Sequence, residues 1–114
     1  EDLLVDWEED HSKNWDANRV LLYNAETYNT STVCAYNWND QDATVVCKQT
    51  GMGDIGKATP INRDYNFSRS MFNVYCTGNE TDLSECTYDT SDSMRMCDSE
   101  QDAGVHCIDT GMFS

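Results

Sequence analysis

Six cysteines in 114 residues constrain this chain more than any other feature. They are Cys34, Cys47, Cys76, Cys86, Cys97 and Cys107. The number is even, so no thiol need stay free. No Cys-x-x-Cys pair and no His-x-His cluster occurs, so a zinc site has little support. The cysteines read as disulfides, and disulfides imply an oxidising compartment: secreted, or on a cell surface. Staples also suit a chain with 39% hydrophobic residues, whose core can only be modest. Six cysteines allow fifteen pairings, and spacing alone does not choose among them.

The length fits one domain, expected over residues 1–108, with 109–114 as a linker or tail. Leu3-Leu4-Val5 reads as an opening strand, and Asp6 to His11 as an exposed loop. Arg19–Ala25 and Thr30–Cys34 are rich in β-branched and apolar residues and read as two strands joined by a hairpin. Asn39 is a suitable N-cap, and Asp40 and Asp42 sit where a helix dipole favours carboxylates. Ala43, Val46, Cys47 and Thr50 then share one helical face, and Gly51 is placed to end the helix. Residues 52–70, with Gly53, Gly56 and Pro60, have loop chemistry. Met71–Cys76 reads as a strand and Thr81–Cys86 as a short second helix. A long polar loop over 87–101 leads to a closing strand, Ala103–Ile108. There are no internal repeats.

The net charge of −14 is uneven. Residues 1–16 hold seven acids against Lys13, and residues 80–114 hold nine against Arg95. Such a chain repels nucleic acid and heparin-like polyanions at long range and favours cations or basic protein surfaces. No run approaches the ~20 apolar residues of a membrane span, and no signal peptide is present. A mature fragment or one module of a longer protein is expected. Three sequons, at Asn29, Asn66 and Asn79, suit passage through a secretory pathway.

Two stretches carry a family resemblance. Cys76-Thr77-Gly78-Asn79-Glu80-Thr81-Asp82-Leu83-Ser84-Glu85-Cys86, followed by Asp102-Ala103-Gly104-Val105-His106-Cys107, resembles the signature of the scavenger receptor cysteine-rich (SRCR) domain. Thr32-Val33-Cys34 with Trp38 resembles the family's Thr-Val-Cys-x-x-x-Trp, and Asp42 to Gly51 resembles its Asp-Ala-x-Val-Val-Cys-Arg-Gln-Leu-Gly helix. The resemblance implies a compact α+β fold: a curved, mostly antiparallel sheet cradling one main helix, with a short second helix and three disulfides. It implies the pairs Cys34–Cys97, Cys47–Cys107 and Cys76–Cys86. The family's eight-cysteine group has a further bridge, from an N-terminal cysteine to one directly after the helix-ending Gly. Met52 stands at that second position and no N-terminal cysteine exists, so the chain resembles the six-cysteine group A.

Many members bind ligands through Ca²⁺ held by two consecutive Asp after the first cysteine of this group and by the Glu of Cys-x-Gly-x-Glu. Here the Glu is Glu80, but the Asp positions are Ala35 and Tyr36, which supply no carboxylate. Glu80, Asp40 and Asp42 are the candidate metal ligands, with Asp98 and Asp102 as further carboxylates; no cofactor is required, and calcium is an option. Lys57, Arg63, Tyr65, Phe67 and Arg69 make the one locally basic loop, the expected contact surface on a stapled scaffold. Asp6, Glu8, Glu9 and Asp10, flanked by Trp7 and Trp15, form an acidic segment suited to a cation or a basic partner. Catalysis has little to stand on. His11 and His106 are the only histidines, and no Gly-x-Ser-x-Gly elbow or phosphate loop occurs.

The expectation is an extracellular, non-catalytic module of a receptor or secreted mosaic protein that binds a protein or glycoprotein, with basic surfaces favoured. One alternative is a calcium-assisted pattern-recognition domain for polyanionic or microbial surfaces. Others are an accessory domain of a secreted protease or oxidase, or a structural spacer. Nucleic acid and direct membrane insertion are not expected, and the oligomeric state is open.

Overall fold

The computed structural model describes residues 2–8, 17–24, 26–61, 68–91, 97 and 101–111, and for residues 2–8, 17, 18 and 24 the backbone alone. Seven strands lie among them: β1 (Asp2–Glu8), β2 (Ala17–Asn24), β3 (Asn29–Val33), β4 (Ile55–Ala58), β5 (Ser68–Tyr75), β6 (Thr87–Asp89) and β7 (Gly104–Ile108). One α-helix, α1 (Asp40–Gln49), follows β3, and a 3₁₀ turn spans Leu83–Glu85. The sheet order is β4-β7-β2-β3-β5-β6, with β1 on the other edge of β2. Strand pairs are antiparallel except β3–β5, which is parallel, so the sheet is mixed. A register shift at Thr32/Val33 bends that parallel pair.

The helix ends as its sequence dictates. Asn39 and Asp42 form a reciprocal capping box: the Asn39 side chain accepts from Asp42 N, and Asp42 Oδ2 accepts from Asn39 N at 3.0 Å. At the other end Gly51 takes φ +73°, so Met52 N reaches Cys47 O at 2.9 Å and Gly51 N reaches Lys48 O at 3.2 Å. Those two bonds are a Schellman motif, and they satisfy carbonyls the helix leaves open.

The buried side of α1 is wider than the expected stripe. Asp42 and Val45 join Ala43, Val46 and Cys47 in the interior. The physical reason is that two bodies flank the helix. One face meets β4 and β7, where Gly56 lies so close that a Cβ would fall 2.4 Å from the Ala43 carbonyl. The other flank clasps residues 76–83: Asp42 Oδ1 accepts from Cys76 N at 2.7 Å, and Gln49 Oε1 accepts from Leu83 N at 2.7 Å. The core gathers Val20, Leu22, Val33, Val46, Met71, Val74, Leu83 and Val105 between sheet and helix. Trp38 anchors there too, its indole N–H donating to Gly104 O at 3.0 Å.

Three disulfides pin this arrangement: Cys34–Cys97, Cys47–Cys107 and Cys76–Cys86. The first two close 63 and 60 residues, and the second ties α1 to β7. In the chain-entropy picture a loop of that size contributes about 4 kcal/mol.

Several sequence expectations shift. Residues 55–58 and 68–70 are strand, although 52–70 reads as loop, because β4 adds to the edge of β7 and β5 extends N-terminally along β3. Thr87–Asp89 is likewise a strand, held by pairing with β5 rather than by its own composition. β1 runs to Glu8, beyond the apolar Leu3–Val5 and into the stretch read as loop, since its pairing with β2 continues to Glu8↔Ala17. The second helix is a single 3₁₀ turn, capped by Asp82, whose side chain accepts from Ser84 N.

Candidate functional site

The segment from Cys76 to Cys86 is a small closed body bridged at its ends and fastened to α1. Within it the Glu80 carboxylate turns back on its own backbone. It accepts from Thr77 N at 3.0 Å, Thr77 Oγ1 at 3.0 Å and Gly78 N at 3.0 Å. Gly78 has φ +100°, which lets the turn close on the carboxylate. The backbone N–H of Thr77 holds the Glu80 carboxyl below its ordinary range. Lys48 Nζ donates to Gly78 O at 3.0 Å, tying the turn to the last turn of α1.

The other candidate metal ligands are occupied in other ways. Asp42 is fully buried, and its two oxygens accept the N–H groups of Cys76 and Asn39. Burial pushes its pKa up to about 6, against the lowering effect of those hydrogen bonds. Asp40 is exposed; its Oδ1 accepts from Ala58 N at 2.9 Å, and its Oδ2 stands 3.6 Å from Lys57 Nζ. Ala35 is buried and donates its N–H to Gln101 O at 2.9 Å. Tyr36 is half-buried and donates its N–H to Cys34 Sγ at 3.3 Å. Among the described residues no group of three or more His, Cys, Asp or Glu is placed to hold a metal ion. The residues at the family's calcium positions do not fit that ion: two lack carboxylates, and the third is engaged by backbone donors.

Of the basic loop, Arg63, Tyr65 and Phe67 lie outside the described residues, as does the sequon at Asn66. Lys57 is exposed in β4. Arg69 departs from the expectation of a contact residue. It belongs to β5 and its guanidinium turns inward, with Nε 3.3 Å from Asp102 Oδ1 and one NH donating to Cys97 O at 2.5 Å. Asn29 and Asn79 are exposed. The acidic N-terminal cluster falls partly in β1, whose side chains are not described, and partly outside the described residues, as do Trp15, His11 and Asp98. His106 sits half-buried in β7.

Sequence reasoning missed the most buried electrostatic feature. Arg19 in β2 is fully buried, and its guanidinium meets Asp102 Oδ2 at 2.5 Å. Asp102 Oδ1 also accepts from Thr32 Oγ1 at 3.1 Å and faces Arg69. One carboxylate thus joins β2, β3 and β5. A signal was present: a lone Arg at the head of Arg19-Val20-Leu21-Leu22 and an Asp directly before Ala103-Gly104-Val105 are charges set against apolar runs. Sequence reasoning also missed a cavity of about 300 Å³ beside the 76–86 body, lined by residues of β2, α1, β5 and β6 as well as the 3₁₀ turn. No helix among the described residues is long and apolar enough to cross a membrane.

Comparison with known proteins places this geometry. A family model for the scavenger receptor cysteine-rich domain matches residues 11–108. Lysyl oxidase homolog 2B of Danio rerio is 33% identical over 86 residues, which is 67% of this chain and 10% of that protein. The SRCR domain of mouse MARCO, in a crystal structure of its dimeric form, superposes with a TM-score of 0.67 at 26% identity, covering 81% of this chain and 86% of that one. The third SRCR domain of murine neurotrypsin gives a TM-score of 0.62 at 25% identity, over 93% and 96%. With its three disulfides and a mixed sheet packed on α1, the chain belongs to the scavenger receptor cysteine-rich domain family.

Proposed function

We propose that this domain is an extracellular, non-catalytic binding module that recognises basic surfaces of a protein or glycoprotein without calcium. The observation behind the reading is the pairing of a −14 charge with carboxylates at the family's calcium positions that are missing or already engaged. A scaffold held by three disulfides is a stable platform for surface segments, which suits recognition. Its charge steers cationic partners toward it and repels polyanions. The similarity to lysyl oxidase homolog 2B favours a second, compatible reading: an accessory domain of a larger secreted oxidase-like protein, with any chemistry located elsewhere in that protein.

The test is binding of the immobilised domain to poly-lysine, poly-glutamate and dextran sulfate, each in calcium and in chelator. Poly-lysine is expected to bind equally in both, with affinity falling as salt rises. Chelator-sensitive capture of dextran sulfate, with poly-lysine inert, would overturn the reading in favour of calcium-assisted pattern recognition.

A further inference from the structure

We propose that the cavity beside the 76–86 body receives one arginine or lysine side chain of a basic partner, with Asp82 as its counter-ion. The inference deepens the reading of the domain as a binder of basic surfaces and rests on it. The cavity has an apolar part, Leu22, Met71, Leu83 and Tyr88, and a polar part, Gln49, Ser70, Ser84, Thr90 and Asp82. Among the described residues that line it, Asp82 is the one that carries a charge.

The chemistry of the lining selects the ligand. A long cationic side chain is apolar along its stem and charged at its tip. Its stem would bury against Leu22, Met71 and Leu83, and its head would meet a carboxylate and the ring of Tyr88. An anionic group would be repelled by Asp82 and by the whole domain. A purely apolar group would strip water from Asp82 with nothing in return. The volume is at the lower end of small-molecule sites, which run from about 300 Å³, and so suits one side chain rather than a cofactor.

The cavity is also preformed. Asp82 Oδ1 accepts from Ser84 N at 2.9 Å and Ser84 Oγ at 2.8 Å, which fixes the carboxylate as the cap of the 3₁₀ turn. The same donors hold its pKa below the ordinary carboxylate range, so it stays charged at neutral pH. The Leu83 wall is tied to α1 through Gln49, and Ser70 is held by a 2.6 Å hydrogen bond with Ser31. The Cys76–Cys86 bridge closes the body that carries Asp82.

The experiment is an NMR titration of the ¹⁵N-labelled domain with a Gly-Ser-Arg-Ser-Gly peptide and its Lys and norleucine counterparts. Shifts are expected at Leu22, Gln49, Leu83, Ser84 and Tyr88 with the Arg and Lys peptides and not with norleucine. Asp82→Asn keeps the cap, since Asn serves that position as well as Asp, and removes the charge. It is expected to weaken binding about fivefold, the upper end for one solvent-accessible charge pair. Asp89→Asn removes an equal charge at an exposed position next to Tyr88 and outside the lining, and is expected to leave affinity within about twofold. Equal losses in both variants, or shifts scattered over the acidic surface, would overturn the pocket. Poly-lysine binding with no shifts at the cavity would overturn it while leaving the module reading intact; loss of poly-lysine binding as well would overturn both.

Discussion

Removing the Asp102 carboxylate is expected to be among the most damaging single changes in the interior. Asp102 is 1% exposed and Arg19 is 0% exposed, so their ion pair lies out of water. The same carboxylate accepts from Thr32 and faces Arg69. In Asp102→Ala the Arg19 guanidinium stays buried while the carboxylate that faces it at 2.5 Å goes. Breaking a buried pair in this way costs about 3–5 kcal/mol, far more than the pair is worth against an apolar replacement. Domains of this size have about 5–15 kcal/mol in total. Urea unfolding with the disulfides intact reads the effect directly. With a slope of about 2 kcal/mol per M, the midpoint should fall by about 2 M. Asp102→Asn keeps the shape and an acceptor oxygen, so it serves if the Ala variant does not fold; it should lie between wild type and Ala. A loss under about 1 kcal/mol in both variants would refute the reasoning, since it would mean that the guanidinium is solvated or neutralised by other groups at little cost.

Asp42 should give stability a distinctive pH dependence. Its folded pKa of about 6 exceeds the ordinary 3.8, so the folded state binds the proton more tightly. That contribution is full below about pH 4 and is lost as pH rises through about 6, roughly 3 kcal/mol across the window. Glu80 and Asp82 act oppositely, because their lowered pKa values give stability that is lost as pH falls. Comparing wild type with Asp42→Asn between pH 4 and 7 isolates the first effect; parallel curves would contradict it. Gly56→Ala should destabilise by about 1–3 kcal/mol, because the added Cβ meets the Ala43 carbonyl at 2.4 Å and β4 must move off α1. Thermal unfolding measures this, and an unchanged midpoint would show that the contact yields freely. Replacing Cys76 and Cys86 together by Ser should cost about 3 kcal/mol, less than the roughly 4 kcal/mol for Cys47 and Cys107, since the loops closed are 10 and 60 residues. The reverse order in urea unfolding would count against the loop-entropy account.

The helix was the most legible element, because its signals are local: the Asn39 cap, the Ala43–Val46–Cys47 stripe and Gly51. The short strands β4 and β6 were not, because Ile55–Ala58 and Thr87–Asp89 become strands through edge pairing with distant residues. Disulfide pairing came with the family resemblance, since spacing left the choice open. At the candidate site the sequence located Glu80 and the loss of the Asp pair. It did not show that Glu80 faces its own turn, which depends on the left-handed Gly78. Arg69 was misread for a related reason: its neighbours suggest a basic loop, but the partner that turns it inward, Asp102, is 33 residues away. The cavity was invisible because its lining comes from segments spread between Leu22 and Thr90.

This SRCR domain keeps the family fold, and the recognition of basic partners proposed for it needs no calcium. A calorimetric calcium titration, with thermal unfolding in calcium and in chelator alongside, is the decisive measurement. A ligand that bound the folded state would raise the unfolding midpoint by mass action. No heat of binding and identical midpoints are expected. Saturable heat with a midpoint raised by calcium and lowered by chelator would contradict it.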